Sequence, residues 1–198
     1  MTDAVRAYPR SVSCGGKTIE LSLLTAQDQA DLEAFVATIP EHDLLFLSSD
    51  ITHKKVLNAW IRSAKTGRVK SLLAREGGVI IGCTAIVLNI LSWSRHVGEL
   101  RVLLAPEWRG QGLGTTLMQE CFVQALELGL EKLCMQATVD QPAAIVGFEN
   151  LGFRAEALFH NHVKDSEGRL YDLAVLSHDV ARVQSRMAAL GIPGAIGA

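Results

Sequence analysis

The sequence predicts an α/β domain in which a mixed, mostly antiparallel central sheet is flanked by helices. The pattern of apolar residues and turn signals marks seven strands and four helices, in the order β-α-α-β-β-β-α-β-α-β-β. Tight turns join strands before and after the middle of the chain, which favours antiparallel pairs. Between them, a strand, a glycine-rich loop, a helix and another strand form a crossover, which favours one parallel pair.

The composition narrows the class of protein. A length of 198 residues suits one domain with a substantial core, and 48% hydrophobic with 20% charged residues is a globular balance. A formal net charge of −2 gives no basic surface for nucleic acid. The four cysteines lack the C-x-x-C spacing of a metal site, so we expect reduced thiols, no metal and a cytoplasmic location. No run of about 18 apolar residues predicts a membrane span.

The first third of the chain predicts one strand and two helices. Residues 1–16 show no periodicity and are expected to be a flexible lead-in. Residues 17–24 alternate and predict a strand. Thr25 offers an N-cap hydroxyl for a helix over residues 25–39. After an irregular joint, residues 54–64 place their apolar side chains on one face of a second helix.

The middle of the chain predicts three strands and a helix. Residues 69–76 and 79–91 flank a Gly77-Gly78 dipeptide, which supplies the positive φ angles of a tight antiparallel hairpin. Residues 97–104 form the third strand. The helix over residues 115–128 is amphipathic and stops before a glycine.

The last third predicts a strand, a helix and a final hairpin. Residues 133–139 are a short strand, and a proline in the first turn starts the helix over residues 141–151. Residues 154–163 and 170–176 alternate and are expected to finish the sheet as an edge hairpin. Residues 179–198 are expected to form a short helix and a mobile tail.

A glycine-rich loop joins the strand 97–104 to the helix that follows. It reads Pro106-Glu107-Trp108-Arg109-Gly110-Gln111-Gly112-Leu113-Gly114. Glycines at alternate positions permit positive φ angles and leave consecutive N–H groups open to a ligand. The helix adds unpaired N–H groups and the positive end of its dipole, and Arg109 adds a full charge. The pattern favours an anion site, although glycines also close ordinary strand-to-helix connections.

Two motifs resemble those of the GNAT acetyltransferases. Arg109, Gly112 and Gly114 match the R-x-x-G-x-G acyl-CoA loop of that family. Residues 143–153, AAIVGFENLGF, are similar to its helix motif A-A-I-x-L-Y-E-K-L-G-F. The predicted order of elements is also that of the GNAT fold. The resemblance covers residues 17–178, which we expect to be the acetyltransferase domain.

The resemblance implies an acetyl-CoA site. The pyrophosphate would lie on the loop, mostly on backbone N–H groups, and the pantetheine arm would run beside the strand 97–104, where that family commonly splays two neighbouring strands. The residues implied for cosubstrate binding are Val102, Leu103, Leu104, Arg109, Gly110, Gln111, Gly112, Leu113, Gly114, Gln141 and Phe148.

The resemblance also points to a catalytic base and shows departures. Many relatives carry a glutamate base on this strand, and Glu99 matches that position. Alternatively, Glu99 is an ordinary polar residue on the outer face, since alternation places it on the same side as Arg101. Phe148 stands where relatives often carry a tyrosine that protonates the CoA thiolate. Gln141 replaces a common asparagine, and Gln136 replaces the glutamate base of some protein N-terminal acetyltransferases.

Several surrounding residues have open roles. The apolar residues 44–47 of the joint 41–53 either pack on the core or form one wall of the acceptor pocket. His160, His162 and Tyr171 lie on the last two predicted strands, and we expect them to be sheet-face or rim residues rather than catalysts.

The implied function is an N-acetyltransferase that moves the acetyl group of acetyl-CoA to a primary amine of a small molecule or protein, by direct attack in a ternary complex. The missing tyrosine keeps open a non-catalytic acyl-CoA sensor. Transfer of a longer acyl chain, or transfer to a hydroxyl, is also compatible with the motifs. We expect no nucleic-acid or membrane partner, and the fold permits a homodimer.

Overall fold

One eight-stranded sheet organises the computed structural model, which describes residues 6–181. The strands are β1 (Arg10–Cys14), β2 (Lys17–Leu23), β3 (Val69–Glu76), β4 (Val79–Leu88), β5 (Val97–Leu104), β6 (Lys132–Thr138), β7 (Arg154–Lys164) and β8 (Leu170–Asp179). The helices are α1 (Gln29–Val36), α2 (Lys54–Lys65), α3 (Leu113–Glu127) and α4 (Pro142–Asn150). Short 3₁₀ turns cover Ala26–Asp28, Glu41–Leu44 and Pro106–Trp108.

The strand order across the sheet is β1-β2-β3-β4-β5-β6-β8-β7. Neighbouring strands are antiparallel except β5 and β6, which the crossover through α3 makes parallel. The predicted mixed, mostly antiparallel sheet flanked by helices is therefore confirmed. The predicted hairpin at the edge is also present, with β7 outermost.

The parallel pair is short. β5 and β6 are in register only from Val97 opposite Lys132 to Glu99 opposite Cys134. Beyond that point β5 stays paired with β4 as far as Leu104, while β6 stays paired with β8 as far as Thr138. The two strands therefore separate inside the sheet, and we call the space between residues 100–104 and 135–138 the inter-strand cleft.

Helices cover both faces of this sheet. Buried residues of α1 and α2, including Leu32 and Leu57, pack with Leu103 of β5 in one cluster. Met118 of α3 packs with Leu100 of β5 in a second cluster. Because residues an odd number of positions apart point to opposite faces of a strand, α1 and α2 cover one face at β5 and α3 covers the other.

The N-terminal segment corrects one expectation. The sequence predicts a flexible lead-in over residues 1–16, but residues 10–14 form β1 and pair antiparallel with β2. The segment before β1 is anchored on α3 by Glu120, which is 4% exposed. Glu120 accepts hydrogen bonds from Arg6 Nη1 at 2.9 Å, Tyr8 Oη at 2.7 Å and Arg10 Nη1 at 3.1 Å. These partners are more than a hundred residues away from Glu120 in sequence, so no local pattern reveals them.

Smaller differences concern the ends of elements. The helix predicted over residues 25–39 is a 3₁₀ turn followed by α1, and the strand predicted to reach residue 91 ends at Leu88. β8 runs on to Asp179, where a helix was predicted to begin. The rest of that helix and the tail fall outside the described residues from 182 onward. Among helices within residues 6–181, none is long and apolar enough to cross a membrane.

Candidate active site

The inter-strand cleft contains a cavity of about 750 Å³. Leu100, Val102 and Leu104 line it from β5, and Met135 and Ala137 line it from β6. The glycine-rich loop and the first turns of α3 and α4 complete its wall. The cavity therefore extends from the separated strands to the N-termini of α3 and α4.

The glycine-rich loop has the backbone form that its sequence predicts. Gly110 and Gly112 have φ angles of 70° and 88°, which side-chain-bearing residues rarely adopt, and Gly112 is the N-cap of α3. Gly110, Gly112 and Gly114 all line the cavity. Since α3 has no acidic residue in its first turn, the positive end of its dipole is not offset by a side chain there.

Two residues predicted from this loop do not line the cavity. The Leu113 side chain is fully buried in the core, where it fixes the first turn of α3. Gln111 turns back toward the loop, and its Nε2 donates a hydrogen bond to the carbonyl oxygen of Glu107. Any contribution of these two residues to ligand binding would come from their backbone groups.

Arg109 is held across the mouth of the cleft. Its Nη2 donates hydrogen bonds to Asp43 Oδ2 at 2.7 Å and to the carbonyl oxygen of Leu104 at 3.3 Å. The second oxygen of Asp43 accepts a 2.9 Å hydrogen bond from Nε2 of Gln141, the residue that caps α4. The 3₁₀ turn Glu41–Leu44 therefore bridges the loop after β5 and the start of α4.

The opposite wall is formed by α4. Gln141 and Phe148, which the motif resemblance implies for cosubstrate binding, both line the cavity. The Phe148 ring packs edge-on against the Phe153 ring at a centroid distance of 5.4 Å. Phe148 supplies an apolar surface at this wall and has no proton to donate.

Glu99 lies on the other face of β5. Leu100 lines the cavity, so its neighbours Glu99 and Arg101 point to the face covered by α2. Oε1 of Glu99 accepts a 2.7 Å hydrogen bond from Nε of Arg101, whose Nη2 donates to Ser48 Oγ at 3.1 Å. Glu99 is also the last residue of β5 that pairs with β6, so it marks the closed end of the cleft.

A second pocket of about 240 Å³ lies on that same face, and we call it the α2 pocket. Its floor is β4 and β5, including Val87, which is the register partner of Glu99. Its walls are α2 and residues 47–51, and its lining is mainly apolar. Leu103 of β5 lines both the α2 pocket and the inter-strand cleft.

The joint 41–53 contributes apolar residues to the core and to the linings of both spaces. Leu44 is buried in the core cluster with α1 and α2. Phe46 lines the cleft, and Leu47 lines the α2 pocket. The joint is thus a wall between the two spaces as well as a part of the core.

The sequence did not single out Asp43 or Asp140. Asp140 lines the cleft, and its Oδ2 lies 3.1 Å from Nε2 of His42. The His42 ring meets the Tyr171 ring edge-on at 4.9 Å. Only the acidic side chains themselves could have drawn attention to these positions, because their partners come from distant elements.

The remaining predicted rim residues lie outside the cavity lining. Nδ1 of His160 lies 3.0 Å from Oδ2 of Asp172, and the His162 ring packs on Phe159. Tyr171 donates a 3.0 Å hydrogen bond to Asp165. Gln136, in contrast, lines the cleft from β6.

The four cysteines are free thiols. Burial raises the pKa of Cys121 to about 12, so this thiol stays protonated at neutral pH. Burial also raises the pKa of Cys14 and Cys83. In the described part of the chain, no group of three or more His, Cys, Asp or Glu residues is arranged to hold a metal ion.

Comparisons with known proteins agree with this architecture. A sequence model of the Acetyltransferase (GNAT) family matches residues 36–153, which is more than half of the chain. The protein therefore belongs to the GNAT acetyltransferase family. A search of curated proteins gives no match.

Solved structures show the same fold at low sequence identity. A GNAT-family acetyltransferase from Streptococcus pneumoniae is 22% identical, with a TM-score of 0.68 over 81% of this chain and 99% of that chain. A ribosomal-protein-alanine N-acetyltransferase from Brucella melitensis is also 22% identical, with a TM-score of 0.68 over 80% of this chain and 98% of that chain. A Salmonella typhimurium protein solved with its cofactor acetyl-CoA is 18% identical, with a TM-score of 0.66 over 82% of this chain and 94% of that chain.

Proposed function

We propose that the protein is an N-acetyltransferase that moves the acetyl group of acetyl-CoA to a primary amine of a small molecule or protein. The observation that carries this proposal is the inter-strand cleft, which runs from the point where β5 and β6 separate to the N-terminus of α3. An extended acyl arm fits beside separated strands, and a pyrophosphate fits a glycine-lined helix N-terminus.

The residues around the cleft suit acetyl-CoA. Arg109 and the backbone N–H groups of residues 110–114 would hold the pyrophosphate, because the loop offers positive φ angles and no acidic side chain in the first turn of α3. Backbone groups of Val102, Leu103 and Leu104 would hold the pantetheine arm, since β6 no longer pairs with this part of β5. Gln141 and Phe148 would contact the arm from α4.

Transfer to an amine requires a neutral nucleophile. The Glu99 backbone lies where the cleft closes, and its half-buried side chain faces α2, next to Arg101, without lining either space. We assign it the role of general base that takes a proton from an acceptor ammonium that approaches from the α2 side. Attack then forms the N–C bond of the amide and breaks the C–S bond of the thioester. Because a thiolate with a pKa near 8.5 is a tolerable leaving group, the reaction can proceed although Phe148 supplies no proton.

A non-catalytic acyl-CoA sensor is the second candidate. The packing of Phe148 against Phe153 favours it, because this wall lacks the acid that many relatives use. The name of the Brucella melitensis structure, a ribosomal-protein-alanine N-acetyltransferase, supports catalysis and is consistent with a protein amine as acceptor. The free thiols support a cytoplasmic location, and the exposed apolar residues of the edge strand β7 support a homodimer.

Two measurements on the full chain test these proposals. The melting temperature should rise with acetyl-CoA at millimolar concentration, since ligand that binds only the folded state stabilises it. Free thiol should then be released when acetyl-CoA is supplied with a pool of primary amines. A rise in melting temperature with no thiol released from any amine would favour the sensor. No rise in a well-folded sample would contradict both functions.

A further inference from the structure

The α2 pocket and the inter-strand cleft lie on opposite faces of β5 and share one lining residue, Leu103. Glu99 lies farther along β5, where the cleft closes. A molecule in the α2 pocket therefore approaches β5 from the side opposite the helix α3. This arrangement lets two reactants occupy separate compartments on either side of β5, with Glu99 and Arg101 on the α2 side.

The α2 pocket combines an apolar body with a charged margin. Val56 and Trp60 of α2 and Leu47 of the joint form the apolar body. Arg101 lies at the margin and is held by Glu99 on one side and Ser48 on the other. Opposite charges are thus fixed 2.7 Å apart at the edge of an apolar space.

Arg101 retains donor capacity in this position. A guanidinium group has five N–H donors. Within the described residues, Arg101 uses its Nε for Glu99 and its Nη2 for Ser48, and its Nη1 makes no hydrogen bond. Its side chain is 21% exposed, so a small anion can still reach it. A planar guanidinium is well suited to bind a carboxylate.

We propose that the acceptor is a free α-amino acid with a branched aliphatic or aromatic side chain. Its carboxylate would bind Arg101, its ammonium group would lie against Glu99, and its side chain would fill the α2 pocket. The two charges of a zwitterion lie on one carbon atom and complement the adjacent charges of Glu99 and Arg101. A cavity of roughly 150 Å³ lined by apolar side chains holds benzene, so a pocket of about 240 Å³ has room for such a side chain.

The reaction at this site balances without a further reactant. Glu99 takes one proton from the ammonium group, and the neutral amine attacks the thioester carbonyl carbon. The N–C bond forms and the C–S bond breaks as the second proton leaves the nitrogen. One proton ends on the CoA sulfur, and the other passes from Glu99 to solvent. This inference rests on the proposed acetyltransferase function.

The test compares amines that differ in one feature at a time. Thiol release from saturating acetyl-CoA is measured with L-leucine, with L-leucinamide, which lacks the carboxylate, and with glycine, which lacks the side chain. We expect kcat/KM for leucine to exceed both others at least tenfold. An α-amino group beside an amide has a pKa of about 8, lower than in the free amino acid. Leucinamide therefore has more neutral amine, and a preference for leucine cannot come from intrinsic reactivity.

Two variants examine the two parts of the site. Arg101→Gln should reduce the leucine-to-leucinamide ratio at least tenfold, whereas Arg95→Gln, in an exposed turn, should leave it unchanged. Ala59→Leu should fill the pocket and reduce the leucine-to-glycine ratio, because Ala59 lines the pocket from α2. For each variant, the rise in melting temperature on adding acetyl-CoA should equal that of the wild type, which checks that the fold and the cleft are intact.

The outcomes separate this inference from the function on which it rests. Thiol release with leucinamide or a polyamine equal to that with leucine would overturn the amino-acid acceptor and leave the acetyltransferase standing. If none of the amines caused thiol release, the acetyltransferase function would be overturned. In that case, the rise in melting temperature caused by leucine is compared with the rise caused by leucinamide. A larger rise with leucine would support amino-acid binding in the pocket, and equal rises would overturn the inference.

Discussion

Asp43 accepts a 2.7 Å hydrogen bond from Nη2 of Arg109, which links the joint between α1 and α2 to the glycine-rich loop. Both side chains are partly exposed, at 21% for Asp43 and 45% for Arg109. Under the proposed function, the pyrophosphate of acetyl-CoA and the Asp43 carboxylate compete for the same guanidinium group. The joint is thereby coupled to cosubstrate binding.

Replacing Asp43 with asparagine should tighten acetyl-CoA binding. The amide side chain can still accept a hydrogen bond, but the substitution removes the negative charge beside the pyrophosphate site. The dissociation constant should fall about two- to fivefold, because an exposed ion pair contributes up to about 1 kcal/mol. Titration calorimetry at low and high salt measures the change, which should shrink as salt screens the charges.

Asp50→Asn is the matched control for this experiment. Asp50 lies in the same joint but contacts Thr52 and His53, and it does not line the cleft. Its substitution should leave the affinity for acetyl-CoA unchanged. Weaker binding by Asp43→Asn would show instead that Asp43 holds the cleft open for the ligand through Gln141.

Replacing Glu99 with glutamine should lower kcat mainly at low pH. An amine is largely protonated there, so the reaction depends on a base, whereas at high pH more of the amine is already neutral. The ratio of wild-type to variant kcat should therefore be larger at pH 6.5 than at pH 9, and general-base loss is typically worth about 10²- to 10⁴-fold. Steady-state thiol release across this range measures the ratio.

Glu76→Gln provides a comparison on another strand of the sheet. Glu76 lies on β3, two strands away from β5, and pairs with Lys17. Its substitution should leave the pH profile of kcat unchanged. A Glu99→Gln profile parallel to the wild type at every pH would remove Glu99 from the role of base.

Local patterns predicted the elements that local forces determine. β3 and β5 have the predicted bounds because their apolar residues lie between identifiable turns. Gly77 and Gly78 have φ angles of 55° and 87°, as a tight hairpin with a glycine pair requires. The loop glycines and the start of α3 were predictable for the same reason, since only glycine adopts such angles readily.

Contacts between distant segments could not be predicted in this way. β1 depends on Glu120, and the bridge across the cleft depends on Asp43 meeting Arg109 and Gln141. No sequence period brings these residues together. Alternation did predict that Glu99 and Arg101 share a face, and their 2.7 Å hydrogen bond confirms it. The pocket beside them is formed by separate elements, which the sequence could not show.

Gly112→Ala should destabilise the fold and weaken acetyl-CoA binding. Gly112 has a φ angle of 88°, and a left-handed backbone costs a residue with a Cβ atom about 1–2 kcal/mol. The melting temperature should fall by about 2–8 °C, since each kcal/mol shifts a chain of this size by about 2–4 °C. Calorimetry should show weaker acetyl-CoA binding because the N–H groups that open α3 move.

Gly16→Ala separates the two effects. Gly16 has a φ angle of 76° in the turn between β1 and β2, and a Cβ atom there meets nothing within 4 Å. The Gly16→Ala variant should lose about as much stability as Gly112→Ala, with no change in its affinity for acetyl-CoA. If both variants bound acetyl-CoA as tightly as the wild type, the loop would not be the pyrophosphate site.

Glu120→Gln should detach the N-terminal segment from α3. The change removes the charge that pairs with Arg6 and Arg10, and hydrogen bonds to charged groups contribute about 1.5–3 kcal/mol. Burial and the hydrogen bond to Glu120 together raise the pKa of Tyr8, so the phenol remains a donor but loses its charged acceptor. We expect the free energy of unfolding to fall by about 1–3 kcal/mol in urea denaturation.

Hydrogen exchange locates the effect of this variant. Amides of β1 should exchange faster in Glu120→Gln, whereas those of β5 should keep their protection. Glu131→Gln, at an exposed position beyond α3, should change neither stability nor exchange. Unchanged exchange in β1 would mean that pairing with β2 alone holds the segment.

His178→Leu should remove part of the acid sensitivity of the fold. His178 lies against the rings of Phe122 and Phe153 at centroid distances of 4.6 and 5.4 Å. Burial lowers the pKa of His178 below its usual 6.5, and the nearby charge of Asp179 opposes this shift only in part. The folded protein therefore favours the neutral imidazole, while the unfolded chain takes up a proton near pH 6.5. This contribution is fully present above pH 6.5 and is lost as the pH falls through the folded-state pKa.

Urea denaturation at pH 7.5 and at pH 5 measures this contribution as the change in the free energy of unfolding between the two pH values. Wild type should lose more stability between the two pH values than His178→Leu, because leucine packs against the same rings and does not titrate. His96→Gln, at an exposed position, should keep the wild-type dependence. Equal losses of stability in wild type and His178→Leu would place the acid sensitivity in the carboxylates. Asp165 is one such group: burial alone would raise its pKa, but its hydrogen bonds with Arg169 and Tyr171 outweigh burial and lower the pKa to about 2.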